Sequence, residues 1–220
     1  MTNTQRDIRI AIADDHPIIR HAVSNALTAI PGFSVGAAAT SGTELLDALA
    51  HGNWNLIVTD FSMHDTRCDH DGLKLIARLR RQHPCVPIIV FTMLTNNEVL
   101  HRVAQTGVAG IVDKCEGIGE FQRAALEIAR HGREYRSIGV RARLQNDPVA
   151  TPPGAVAPRL SKKELEIIRA FAAGTSLTDI ARQVNRSMST VATQKGAAMK
   201  KLNVRTNVEL VKYARDSGLV

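Results

Sequence analysis

The sequence is poor in cysteine and has no long apolar run, and each shortage removes a class of protein. Its 220 residues include three cysteines, Cys68, Cys85 and Cys115. This odd, scattered set is a poor disulfide framework and matches no zinc spacing such as C-x₂-C. No apolar stretch approaches the roughly 18–20 residues needed to span a bilayer. The opening MTNTQRDIRI lacks the basic start and apolar core of a secretion signal, so a cytoplasmic protein with no membrane partner is expected. What remains is ordinary for a globular protein: 44% hydrophobic and 22% charged residues, with length for one large or two small domains.

Charge is distributed unevenly. Residues 1–132 hold 12 Lys and Arg against 14 Asp and Glu, whereas residues 160–220 hold 11 against 5. A slightly acidic first part joined to a small basic second part suits a chain in which only one domain meets a polyanion. Four of the eight prolines fall within Pro148–Pro158. Proline resists helix and sheet, so residues 133–159 read as a linker between a domain at 1–132 and another at 160–220.

The first domain alternates strand-length apolar runs with amphipathic helices. Strands are predicted at Ile8–Ala13, Phe33–Ala39, Leu56–Thr59, Ile88–Thr92 and Gly110–Val112, each followed by a helix. Pro17 suits a first helical turn, and Ser41-x-x-Glu44 has capping-box spacing. Five such units predict a five-stranded, doubly wound parallel sheet covered on both faces. Polar ligands bind these folds at the carboxyl ends of the strands, and Asp14, Asp15, Asp60, Thr92 and Lys114 all fall there. Three carboxylates in one pocket repel by about 4 kcal/mol per pair at 4 Å and an effective dielectric near 20. A divalent cation relieves that repulsion, and an all-oxygen set selects Mg²⁺ over zinc. Asp60 then becomes a candidate nucleophile for a phosphoryl group, with Thr92 and Lys114 bonding its oxygens.

The same five positions, with Met63 three residues after Asp60, resemble the receiver domain of two-component response regulators over residues 7–131. The resemblance implies a flavodoxin-like fold, phosphorylation of Asp60, Mg²⁺ bound by Asp15, Asp60 and the Ser62 carbonyl with Asp14 acting mostly through water, and phosphoryl contacts from Thr92 and Lys114. The sequence departs from the family in three places. His64 stands where proline is usual, the loop from Met63 to Gly72 is about four residues longer, and Ile111 replaces an aromatic. The long loop also groups His64, Asp65, Cys68, Asp69, His70 and Asp71, which invites a metal-sensing reading beside that of a polar insertion.

In the second domain, Ser161-x-x-Glu164, Ser176-x-x-Asp179 and Thr206-x-x-Glu209 mark helix starts, and Ser187 caps a helix to about Leu202. Four short helices predict a compact all-α module with Leu165, Ile168, Ile180, Val184, Val191, Ala198, Leu202, Val204 and Leu210 inside. Helices 176–183 and 187–201 have helix-turn-helix spacing, the second being the recognition helix. Its outward face carries Ser189, Ala192, Thr193, Gly196 and Lys200, with Thr190 and Lys195 alongside. Lys195, Lys200, Lys201 and Arg205 are candidates for DNA phosphates and Thr193 for a base edge. Leu160-Ser161, Glu164, Gly174, Ile180-Ala181, Ser187, Thr190-Val191 and Lys201-Leu202-x-Val204 resemble the LuxR-type helix-turn-helix, with Gln194 where many members have histidine. With the receiver pattern, the whole chain resembles the NarL/FixJ family of transcription factors. That resemblance implies double-stranded DNA, a histidine kinase or histidine phosphotransfer protein, a second copy or another regulator, and RNA polymerase as partners. It makes the chain a regulator and not an enzyme. Two rivals differ in kind: a Mg²⁺-dependent phosphohydrolase, which the missing D-x-D at Asp60 and the missing Gly-rich nucleotide loop oppose, and an auxiliary regulator that acts with a partner and needs no phosphate.

Overall fold

A computed structural model describes residues 7–63, 70–146, 160–202, 204–216 and 219. The chain forms two compact units that divide after Asp147. None of the described helices is long and apolar enough to cross a membrane.

The first unit runs β1 (Ile8–Ala13), α1 (Pro17–Thr28), β2 (Phe33–Ala39), α2 (Gly42–Leu49), β3 (Leu56–Thr59), α3 (Gly72–Gln82), β4 (Ile88–Thr92), α4 (Asn97–Gln105), β5 (Gly110–Asp113), α5 (Ile118–His131), β6 (Tyr135–Arg136) and α6 (Ile138–Asn146). All strands are parallel, in the order β2-β1-β3-β4-β5-β6. The five expected strands are present, and the sheet has a sixth. After Gly132 turns the chain in the left-handed region (φ 63°), Tyr135 donates its amide to the Ala109 carbonyl, and β6 extends the edge beside β5. Two residues are too few to give a periodic signal.

Strands β3 and β4 are buried at every position, which explains their unbroken apolar runs. One face of the sheet packs Ile10, Ile12, Leu56, Val58, Ile89, Phe91 and Val112 against Val23 and Leu27 of α1 and Phe121, Ala124, Ala125 and Ile128 of α5. The alternate residues Ala11, Ile57, Ile88, Val90 and Ile111 are equally buried, so both faces are covered. At Ser41 the side chain accepts the Glu44 amide, while the Glu44 carboxylate bonds Thr40 at its N–H and hydroxyl. The stretch 135–146, expected as the start of a linker, forms β6 and α6 and bonds back onto this unit.

The second unit has α7 (Lys162–Ala172), α8 (Leu177–Gln183), α9 (Met188–Lys201) and α10 (Asn207–Asp216). Ser161 and Glu164 form a complete capping box on α7, and Ser176, Ser187 and Thr206 each accept an amide of the following first turn. Ile167, Ile168, Ile180, Ala181, Val191, Ala198, Leu202, Val204, Leu210, Tyr213 and Ala214 are buried. The expected inner residues Leu165 and Val184 are half-buried instead. Helix α7 begins at Lys162 and turns 164, 167, 168 and 172 inward, which moves Leu165 toward the rim. Asn185 takes φ +50° in the turn between α8 and α9, a conformation Asn adopts at less cost than other side chains.

Candidate functional site

Parallel strands deliver all their carboxyl ends to one edge. Asp14 follows β1, Asp60 follows β3, Thr92 ends β4, and Lys114 follows β5. The strand order reverses between β1 and β3, and Asp14 and Asp60 flank that crevice. Lys114 Nζ lies 2.6 Å from Asp60 Oδ2 and 2.6 Å from Asp14 Oδ2. Phe61 donates its amide to Asp60 Oδ1 at 2.6 Å, with the half-buried Ser62 amide at 3.5 Å. Burial pushes the Asp60 carboxyl above the ordinary carboxylate range, while Lys114 pulls it back down. A single ammonium thus serves two buried carboxylates, and Asp15 is a third beside them. Thr92 is buried, in register with Asp113 on β5.

Two further residues of this site were not singled out from the sequence. His16 Nδ1 lies 2.7 Å from Asp15 Oδ1 and 3.3 Å from Asp14 Oδ1, within reach of both carboxylates. Arg20 donates to the Asp14 carbonyl at 2.7 Å. Only the place of His16, directly after Asp14-Asp15, could have drawn attention to it. Ligand atoms of Asp14, Asp15, His16 and Asp60 all lie within 4.8 Å of one another. The donor set is dominated by carboxylate oxygen, with His16 supplying one nitrogen at the exposed rim.

Of the residues that suggested a metal-sensing loop, His64, Asp65, Cys68 and Asp69 lie outside the described residues. His70 and Asp71 are described, and both have structural partners. His70 is buried, with Thr43 Oγ1 2.7 Å from its Nδ1 and the Arg78 guanidinium on its Nε2. Arg78 can only donate, so the imidazole proton sits on Nδ1 and goes to Thr43. Asp71 accepts the Met63 amide at 2.8 Å.

On α9, Ser189, Ala192, Thr193 and Lys200 are exposed, and Thr190 and Gly196 are half-buried. The Thr193 hydroxyl donates to the Ser189 carbonyl at 2.9 Å, which leaves its oxygen as an acceptor. The four basic candidates differ. Lys195 bonds Asn207 Oδ1 at 2.8 Å and lies 4.2 Å over the Phe171 ring. Lys201 is 2.8 Å from Glu164, whose other contact closes the α7 capping box. Lys200 and Arg205 are exposed and form no ion pair among the described residues.

The Lys201 and Ser161 bonds hold the Glu164 carboxyl below its ordinary range. Folding therefore gains from ionised Glu164 above about pH 4.5, and that gain is lost as pH falls through the lower folded value. Acid melting followed by circular dichroism should show Glu164→Gln flattening the fall in stability below pH 4.5. A Cβ added at Gly196 would meet nothing within 4 Å. Gly196→Ala is thus expected to stabilise α9 by about 1 kcal/mol in thermal melts. A loss of stability would mean that the helix needs glycine there.

Residues 10–126 match the family described as the response regulator receiver domain, and residues 158–214 match the bacterial regulatory proteins of the luxR family. The chain is similar to the transcriptional regulatory protein RcsB of Escherichia coli K12, at 33% identity over 94% of both chains. It is also similar to the methanol utilization control regulatory protein MoxX of Paracoccus denitrificans, at 31% identity over 94% of this chain and 90% of that one. Among solved structures, RcsB from Salmonella enterica serovar Typhimurium bound to promoter P1flhDC with the phosphomimetic BeF₃⁻ matches with TM-score 0.77 and 31% identity, covering 96% of this chain and 100% of that one. A structure of two RcsB dimers on two parallel DNAs matches with TM-score 0.71 and 32% identity, covering 96% of this chain and 99% of that one.

Proposed function

Since the chain belongs to the response regulators that join a receiver domain to a LuxR-family DNA-binding domain, we propose that Asp60 is its phosphoacceptor and that phosphorylation there controls DNA binding by α9. The observation that carries this reading is the buried Asp60 carboxylate sharing one ammonium with Asp14 at the carboxyl edge of the sheet. The donor is a histidine kinase or histidine phosphotransfer protein. The regulator works in the cytoplasm, and its output form is a dimer on double-stranded DNA, as the RcsB dimers bound to DNA suggest. Its paired half-sites then lie about one helical turn apart.

The residues present suit Mg²⁺. Three carboxylates against one lysine leave net negative charge in a largely buried place, and the oxygen donors match a hard cation. Asp14, Asp15, Asp60 and the Ser62 carbonyl would hold it, and when bound it supplies charge neutralisation for phosphoryl oxygens. Lys114 favours the ionised Asp60 carboxylate against the burial that opposes it, and the ionised form is the nucleophile. A carboxylate oxygen of Asp60 bonds to phosphorus as the phosphorus–nitrogen bond of the phosphohistidine breaks, and the imidazole leaves with the electron pair. The acyl phosphate no longer offers Lys114 a carboxylate, so the ammonium turns to a phosphoryl oxygen, and the Thr92 hydroxyl donates to another.

The test is affinity for genomic DNA fragments in the presence of Mg²⁺, with and without beryllofluoride. Wild-type protein should bind about tenfold or more tightly with the analogue, a coupling of at least 1.4 kcal/mol, and Asp60→Asn should not respond. Equal affinity in every arm would favour the phosphate-independent auxiliary regulator. Sustained turnover of a phosphorylated small molecule would favour the phosphohydrolase.

A further inference from the structure

Helix α6 is bonded to both loops that carry the proposed phosphoryl contacts. At its start, buried Ser137 donates its amide to the Ile111 carbonyl and its hydroxyl to Glu116 Oε1 at 2.6 Å, while accepting the Asp113 amide at 3.2 Å. Glu116 Oε1 also accepts the Gly139 amide at 3.0 Å, placing a carboxylate on the first turn of α6. This end is therefore anchored to residues 113–116, which include Lys114.

The other end is held by Arg143. Its Nε donates to Asn97 Oδ1 at 2.9 Å, at the first residue of α4, and its Nη1 donates to the Leu94 carbonyl. Nη1 also lies 3.7 Å from Asp113 Oδ2. Leu94 is two residues past Thr92, and Asp113 directly precedes Lys114. One guanidinium thus spans the segments next to both phosphoryl-binding residues. Its Nη2 is buried with no hydrogen-bond partner among the described residues, a donor the present arrangement leaves unused. Ile111, between the two loops on β5, is fully buried and its apolar side chain makes no polar contact that could report the change.

We propose that Arg143 is the residue that reads phosphorylation and that α6 is the lever it controls. The inference rests on Asp60 being the phosphoacceptor. When Thr92 and Lys114 turn to a phosphoryl group, the Leu94 carbonyl and Asp113 move with them. Hydrogen bonds to the guanidinium need donor and acceptor within about 3.2 Å, and the Asp113 contact at 3.7 Å is already loose, so a shift of the Leu94 carbonyl opens the Arg143 clamp and α6 loosens. The freed helix leads directly into the proline-rich segment before the DNA-binding domain. Arg143 is a positioning residue and touches no phosphoryl oxygen itself.

Hydrogen exchange on the full chain, with Mg²⁺ and beryllofluoride as the probe, separates this idea from its premise. Peptides covering 56–63 report occupancy of the acidic site, and peptides covering 138–146 report α6. Wild-type protein should gain protection at 56–63 and exchange about tenfold faster at 138–146, the loss expected when one charged hydrogen-bonded clamp is released. Arg143→Ala should exchange fast at 138–146 without the probe and show no further change. It should also reach, without the probe, the DNA affinity that wild type reaches only with it. Arg143→Lys replaces the two nitrogens that reach Asn97 and Leu94 with one and loses the planar fork, so it should behave like the alanine variant. Asn97→Ala removes one arm without altering α6 and should raise exchange there by a smaller factor, which keeps the test open if Arg143→Ala does not fold. A response at 56–63 with none at 138–146 overturns the lever, as does an Arg143→Ala protein that responds like wild type. Silence at 56–63 overturns the assignment of Asp60 instead.

Discussion

Asp60→Asn is expected to lower phosphoprotein formation from a small donor such as acetyl phosphate by at least about three orders of magnitude, because it removes the nucleophile itself. The same change should raise the melting temperature of the receiver unit in buffer free of divalent cations. Burial raises the Asp60 carboxyl above its reference of 3.8, so the folded state binds that proton more tightly than the unfolded chain does. For an acid shifted in this direction, stability is greatest below the unfolded value and declines as pH rises toward the folded one. Wherever Asp60 is ionised its burial therefore opposes folding, and a neutral amide of nearly the same shape removes that opposition. Mg²⁺ should stabilise wild-type protein by about 2.7 kcal/mol at a hundred times its dissociation constant, and Asp60→Asn by much less. Calorimetry with and without Mg²⁺ reads both effects. Destabilisation of the amide variant would mean that the Lys114 bond outweighs the burial cost. Undiminished phosphorylation would move the acceptor elsewhere.

The second large effect concerns DNA. Lys200 and Arg205 are expected to contact phosphates, whereas Lys195 and Lys201 are committed within their own domain. Each lost phosphate contact lowers the slope of log affinity against log salt by about 1. In a dimer, Lys200→Ala with Arg205→Ala removes up to two contacts per protomer, a change in slope of roughly 3–4 and a loss in affinity that is uniform across sequences. Lys201→Ala should leave the slope nearly unchanged and lower the stability of the helical unit, since Glu164 would remain buried with half its partners gone. Titrations of fluorescent duplexes from 50 to 200 mM salt separate the two cases. A flat salt dependence of the wild-type protein would remove the electrostatic account of α9 altogether.

Much of the architecture was legible because the signals are local. Strand-length apolar runs ending in Asp14, Asp60, Thr92 and Asp113 reveal both the parallel sheet and the edge on which its polar residues meet. Ser161, Ser176, Ser187 and Thr206 announce helix starts through bonds that span three residues. The elements that escaped were held from outside themselves. Strand β6 is two residues long and exists because β5 offers it a free edge. Helix α6 has no apolar stripe, so its sequence looked like linker. It is ordered by Glu116 and Arg143, across 23 and 46–49 positions of chain.

The same division holds in the sites. Sequence alone determined which residues could do the chemistry: the carboxylates, the hydroxyl and the lysine stand at strand ends, and strand ends of a parallel sheet must converge. Tertiary structure alone decided how each group is spent. It joined Lys114 to both Asp14 and Asp60, bound His70 between Thr43 and Arg78, and set Lys201 on Glu164 while leaving Lys200 to solvent. Periodicity places a side chain on a face, because backbone geometry repeats along the chain. Which distant partner it meets on that face depends on how the elements pack, and no local pattern encodes that.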